Sequence, residues 1–83
     1  MEKIILYGAS WCPDCVRSIR FLDEHNIKYE YIDVESDPKL TEKVIELNEK
    51  IGKGKMKSIP IIIIGDKILS EPSNEELNKI LNV

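Results

Sequence analysis

Eighty-three residues, 42% hydrophobic and 33% charged with a net charge of −3, describe one small domain of ordinary globular composition. The acidic balance argues against nucleic acid or an anionic membrane surface as partner, and no apolar run approaches the ~20 residues of a membrane span. The first residues show no signal-peptide pattern, so the expected location is the cytoplasm, where a Cys-x-x-Cys pair serves catalysis or metal binding more often than architecture.

Ile4-Ile5-Leu6-Tyr7 is a short apolar run closed by the turn residues Gly8-Ala9-Ser10, the pattern of a buried strand, β1. Trp11 follows and is expected to cap the core beside the cysteines, as a packing residue or a substrate contact. Cys12-Pro13-Asp14-Cys15 then opens a helix, α1, read from Pro13 to about His25. Proline suits the first helical position because its missing N–H costs nothing there. That makes Cys12 the N-cap and puts Cys15 one turn further in.

This placement is chemical. An N-cap side chain is aimed at the unpaired N–H groups of the first turn, and those groups with the helix dipole favour an anion. A free cysteine with a pKa of about 8.5 is roughly 3% thiolate at neutral pH, whereas helix N-termini and Cys-x-x-Cys settings lower the value to about 3.5–7.5. Asp14 opposes the effect by adding a neighbouring negative charge. Residues three apart on a helix are neighbours, so the two sulfurs can meet. A structural disulfide closing so short a loop removes little unfolded-state entropy. A structural zinc site needs four ligands, and two cysteines with one histidine do not supply them within one chain. The favoured reading is a redox dithiol. A metal or iron–sulfur carrier built by dimerisation is the alternative, and a binding module that uses a sheet edge is a third class.

Within α1, Cys15, Ile19 and Leu22 recur at helical spacing with Val16 and Phe21 beside them, while Asp14, Arg17, Asp23 and Glu24 are expected to face water and Asn26 to cap the end. His25, the only histidine, lies about a helix length from Cys12 and is read as structural. Ile27 to Asp33 is rich in β-branched and aromatic residues and reads as strand β2. Strand–helix–strand over about 30 residues implies a right-handed parallel crossover. Asp37 and Pro38 start helix α2, whose inner stripe is Leu40, Val44, Leu47 and Ile51 with Ile45 on its flank, and Gly52 ends it. Lys50, Lys53, Lys55 and Lys57 form a basic stretch loosened by two glycines, either a solvated loop or a rim that attracts an anionic thiol or an acidic partner surface. Ser58-Ile59-Pro60 leads into Ile61–Ile64, a fully apolar strand, β3, expected at the sheet's centre. Gly65-Asp66 turns the chain into Lys67-Ile68-Leu69, strand β4. Ser73 to Glu76 is a capping box for a final helix, α3, with Leu77, Ile80 and Leu81 inward.

The order βαβαββα, with Cys-Pro-Asp-Cys after β1 and Ser58-Ile59-Pro60 before β3, resembles the glutaredoxin branch of the thioredoxin superfamily over essentially the whole chain. The tail Leu69-Ser70-Glu71-Pro72-Ser73 looks most like mycoredoxin-like and other small dithiol members. The resemblance implies an α/β thioredoxin fold with a four-stranded mixed sheet, β2-β1-β3-β4, and helices on both faces. It implies Cys12 as attacking thiol, Cys15 as resolving thiol, a redox-active disulfide between them, and a cis Pro60. Substrate contacts are expected from Trp11, Pro13, Asp14, Ser58, Ile59, Pro60, Ser73 and Asn74, with the Ile59 backbone pairing with an extended peptide. No bound cofactor or metal is implied. The partners would be disulfide-containing proteins, and the donor glutathione, another low-molecular-weight thiol or a thioredoxin reductase, for a monomer. Glutathione-using relatives carry a Gly-Gly pair after β4, where this chain has Ser70-Glu71-Pro72-Ser73. Ser73 and Asn74 at a helix N-terminus suit a carboxylate, whereas Glu71 would repel one. Cluster-binding relatives usually carry Gly after the first cysteine and Ser for the second, unlike Pro13 and Cys15.

Overall fold

Four consecutive isoleucines form the middle of the sheet in a computed structural model that describes residues 3–83. The elements are β1 (Ile4–Gly8), α1 (Pro13–Glu24), β2 (Glu30–Asp33), α2 (Pro38–Lys50), β3 (Ile61–Ile64), β4 (Lys67–Ser70) and α3 (Asn74–Leu81). The sheet order is β2-β1-β3-β4, with β1 parallel to β2 and antiparallel to β3, and β3 antiparallel to β4. Leu6 at its centre stands between Tyr31 of β2 and Ile62 of β3.

Alternation along the two central strands divides the interior into two cores. Leu6, Ile62 and Ile64 meet Leu22 of α1 and Leu77 of α3 on one face. Tyr7 and Ile61 meet Val44 and Leu47 of α2 on the other, and both cysteines belong to this second cluster. The apolar run of β3 needs no polar positions because helices cover both sides.

The caps explain where the elements stop. Asp37 accepts the Lys39 amide at 2.9 Å at the start of α2, and Ser73 with Glu76 closes the reciprocal capping box of α3. Helix α1 ends one residue sooner than the spacing suggests. His25 is its cap, and Asn26 lies just beyond it in the left-handed region (φ 56°). Strand β2 begins at Glu30 rather than Ile27, because Glu30 is the first residue with a partner on β1. Ile51 caps α2 and is exposed, not part of its inner stripe. The buried positions of α2 are Val44, Leu47 and the fully buried Asn48, and those of α1 are Cys15, the fully buried Ser18 and Leu22, while Val16 is exposed. The hydroxyl of Ser18 has no hydrogen-bond partner. Glycine suits the β3–β4 turn, where Gly65 takes φ 60° without the steric cost of a Cβ.

Candidate functional site

The cysteines sit where β1 hands over to α1. The turn closes with the Cys12 amide on the Ala9 carbonyl (3.2 Å), and Cys12 takes an extended backbone (φ −85°, ψ 115°) ahead of Pro13. Its Sγ accepts the Cys15 amide at 3.4 Å, so the side chain caps the first turn of α1. The same thiol lies 3.9 Å from the Ile59 carbonyl oxygen, to which it donates when protonated. Both cysteines are free thiols. Cys12 keeps 7% of its surface exposed and Cys15 none.

That difference in access has an electrostatic counterpart. The Cys15 thiol is pushed up to about 12, first by burial, then by its hydrogen bond to Cys12 and the nearby charges of Cys12 and Asp14, with the Ala9 amide opposing. Cys15 therefore keeps its proton at neutral pH. Gly8 makes room for it: a methyl group there would stand 3.0 Å from Cys15 Sγ and 3.2 Å from its Cβ.

The Ile59–Pro60 peptide is cis, as the resemblance implied. It brings Ile59 to the edge of a cleft of about 260 Å³ shared with Trp11, Val34, Glu35, Thr41, Val44 and Lys57. Pro60 is buried, and its carbonyl oxygen accepts the Glu71 amide at 2.8 Å. Trp11 does not cap the core. It is 65% exposed and borders both this cleft and a second hollow along α1 that also touches Pro13, Arg17 and Asn74.

Three features escape the sequence reading. Arg17, expected in water, spans α1 and the start of α3: it donates to Asn74 Oδ1 (2.6 Å) and the Pro72 carbonyl (3.0 Å) and lies 3.8 Å from Asp14. Asn74 is thus already engaged, and Ser73 Oγ is engaged with the Glu76 amide (3.1 Å), so both expected carboxylate binders have partners within the chain. Asn48 is the third. Its side-chain nitrogen lies within 3.0–3.2 Å of the Val44, Met56 and Ser58 carbonyls, and its oxygen accepts from Ser70 (2.7 Å). It fastens α2, the lysine stretch and β4 to the residue preceding Ile59. A polar residue at an inward helix position was the signal, visible at Asn48 but unreadable without knowing what reaches it. Among the described residues, no three His, Cys, Asp or Glu side chains cluster to hold a metal, and no helix is long and apolar enough to cross a membrane.

Known proteins are similar to this chain in sequence and fold. The glutaredoxin family model matches residues 4–69. A glutaredoxin of Pseudomonas aeruginosa is 29% identical over 66 residues, covering 80% of this chain and 71% of its own. A glutaredoxin from Archaeoglobus fulgidus superposes with a TM-score of 0.77 at 28% identity, covering all of this chain and 89% of that one. The glutaredoxin-like NrdH-redoxin of Escherichia coli superposes with a TM-score of 0.74 at 22% identity, over 94% and 93% of the two chains, a likeness of fold.

Proposed function

The chain belongs to the glutaredoxin family, whose members are generally thiol–disulfide oxidoreductases, and from that premise we propose that it reduces protein or low-molecular-weight mixed disulfides with Cys12 as nucleophile and Cys15 as resolving thiol. The observation that carries the reading is the asymmetry of the pair: Cys12 Sγ caps a helix with partial exposure, and Cys15 is buried and protonated within reach of it. Cys12 thiolate attacks one sulfur of a substrate disulfide. That bond breaks, and the leaving thiolate takes a proton from solvent. The mixed disulfide has no charge on Cys12, so two of the influences that raise Cys15 disappear and the Ala9 amide still favours its thiolate. Cys15 loses its proton, attacks Cys12 Sγ and expels the second substrate thiolate, which is protonated in turn. Two electrons have moved from the cysteine pair to the substrate, leaving a Cys12–Cys15 disulfide.

The substrate chain is proposed to lie along Ile59, with Trp11, Pro13 and Asp14 on one side of the sulfur and Ser58 and Pro60 on the other. Reset consumes two thiols of an outside donor or one dithiol, here glutathione, another small thiol or a thioredoxin reductase, in the cytoplasm and with the protein as a monomer. NADPH consumption recorded with glutathione and its reductase, then with thioredoxin reductase alone, separates the donors. Turnover tests the chemistry. Cys12→Ser is expected to lose activity by at least about 10³-fold, and Cys15→Ser to accumulate a mixed disulfide at Cys12 visible as added mass. Full activity in Cys12→Ser would reverse the two roles.

A further inference from the structure

Charge is unevenly spread over this chain. It has 12 basic and 15 acidic residues, yet positions 50–57 hold four lysines and no acid, so a net charge of −3 becomes −7 outside those eight positions. All eight residues are exposed, including Met56 at 51%. Lys53 is paired with Glu71 at 3.8 Å, whereas Lys50, Lys55 and Lys57 form no ion pair among the described residues. The stretch is nevertheless anchored. Asn48 holds the Met56 and Ser58 carbonyls, and the Lys53 amide returns to the Asn48 carbonyl at 2.9 Å. Its nearer end, Lys57, borders the same cleft as Trp11 and Ile59, and the Ile59 oxygen is 3.9 Å from Cys12 Sγ.

We infer that the lysine stretch 50–57 is a docking surface for acidic segments of disulfide-bearing proteins, which selects substrates by the charge around their disulfide; this rests on the oxidoreductase reading. Of the four lysines only Lys57 lines the cleft, so a small anionic thiol lying there meets Lys57 first. An acidic polypeptide leaving the cleft along the stretch meets them in turn. Each exposed ion pair adds little affinity, about 0–1 kcal/mol. Several together on one rim raise the rate of productive encounter by about tenfold or more, and salt removes the gain.

The test uses single turnovers. The prereduced full chain is mixed with excess of one of three peptides that carry the same internal disulfide flanked by glutamates, glutamines or lysines, and oxidised protein is counted by mass after acid quench. The glutamate peptide is expected to react about tenfold faster than the lysine peptide at low ionic strength, and within about threefold of it at 0.5 M salt. Lys50→Glu/Lys55→Glu, neither of which lines the cleft, is expected to bring that ratio to about one or below, and to change the rate with glutathione disulfide less than about twofold. Equal rates for the three peptides with the unaltered protein overturn the inference and leave the oxidoreductase reading standing. An equal loss with glutathione disulfide also overturns it, since the stretch would then attract any anion. If the unaltered protein fails to reduce even the glutamine peptide, the oxidoreductase reading falls and takes the inference with it.

Discussion

At the scale of single residues, the two cysteines are made unlike by one turn of helix. Cys12 meets an amide and some solvent, while Cys15 meets Gly8 and the floor of the core. The proton on Cys15 then bears on stability. Its thiol is raised from 9.0 to about 12 by burial first and Cys12 second. Between those values the folded protein keeps a proton that the unfolded chain has released. The stabilising contribution is therefore complete below about pH 9 and is lost as pH rises toward 12, with a slope of at most about 1.4 kcal/mol per pH unit for one proton. The phenols of Tyr29 and Tyr31 are also raised, first by burial; both are kept in Cys15→Ala, and only the smaller charge contribution of Cys15 to Tyr31, which acts in the same direction, is lost there. Urea unfolding of the reduced protein and of Cys15→Ala from pH 7 to 11 should give parallel curves up to pH 9 and a steeper decline for the unaltered protein above it. Curves that stay parallel throughout would mean that Cys15 titrates alike in both states.

At the scale of elements, the segment before β3 depends on a side chain from α2. Asn48 is the common partner of Val44, Met56, Ser58 and Ser70, fully buried where an apolar residue would otherwise pack. Leaving buried polar groups without partners costs about 1–3 kcal/mol each, partly recovered by water. Asn48→Ala is expected to cost about 2–3 kcal/mol and to raise amide exchange across residues 53–59 by about tenfold. A loss under about 0.5 kcal/mol would make Asn48 no more than a surface-like position. The contrast with the rest of α2 shows which features the sequence carries openly. Pro13, Pro38, the Ser73–Glu76 box and the Gly65 turn act within a few residues, so their local chemistry announces the element ends. The isoleucine run announces a central strand because only cover on both faces tolerates it. The cysteine spacing announces the site for the same local reason. Asn48, Arg17 and Trp11 are different, because their positions depend on what arrives from elsewhere in the chain. A buried asparagine looks polar until the loop it fastens is known, an arginine on α1 looks solvated until α3 begins beside it, and a tryptophan looks like core until the turn before α1 leaves it exposed.

At the scale of the molecule, the sheet separates two cores that stabilise the fold together but serve the site unequally. A domain of this size is held by about 4–12 kcal/mol in total, so loss of one large core side chain is felt everywhere as stability. Leu47 and Leu77 make a matched pair for this purpose. Both are leucines on helices, 4% and 0% exposed, on opposite faces of the sheet. Each substitution by alanine should cost about 2–5 kcal/mol. Only Leu47 shares its cluster with Cys12 and Cys15, together with Tyr7, Val44 and Ile61. The void left by Leu47→Ala adjoins the packing that keeps Cys15 dry and holds the turn at Ala9. The void left by Leu77→Ala lies across the backbone of β1 and β3, among Leu6, Leu22 and Ile62. Thiol alkylation of the reduced protein at about 15 °C, corrected for the unfolded fraction, should change more than about threefold in Leu47→Ala and stay within that factor in Leu77→Ala. Equal changes would show that strain crosses the sheet freely, so the site would answer to the stability of the whole fold. Unequal changes would tie the reactivity of the cysteines to the α2 face, the face that also supplies Asn48 and the root of the lysine stretch.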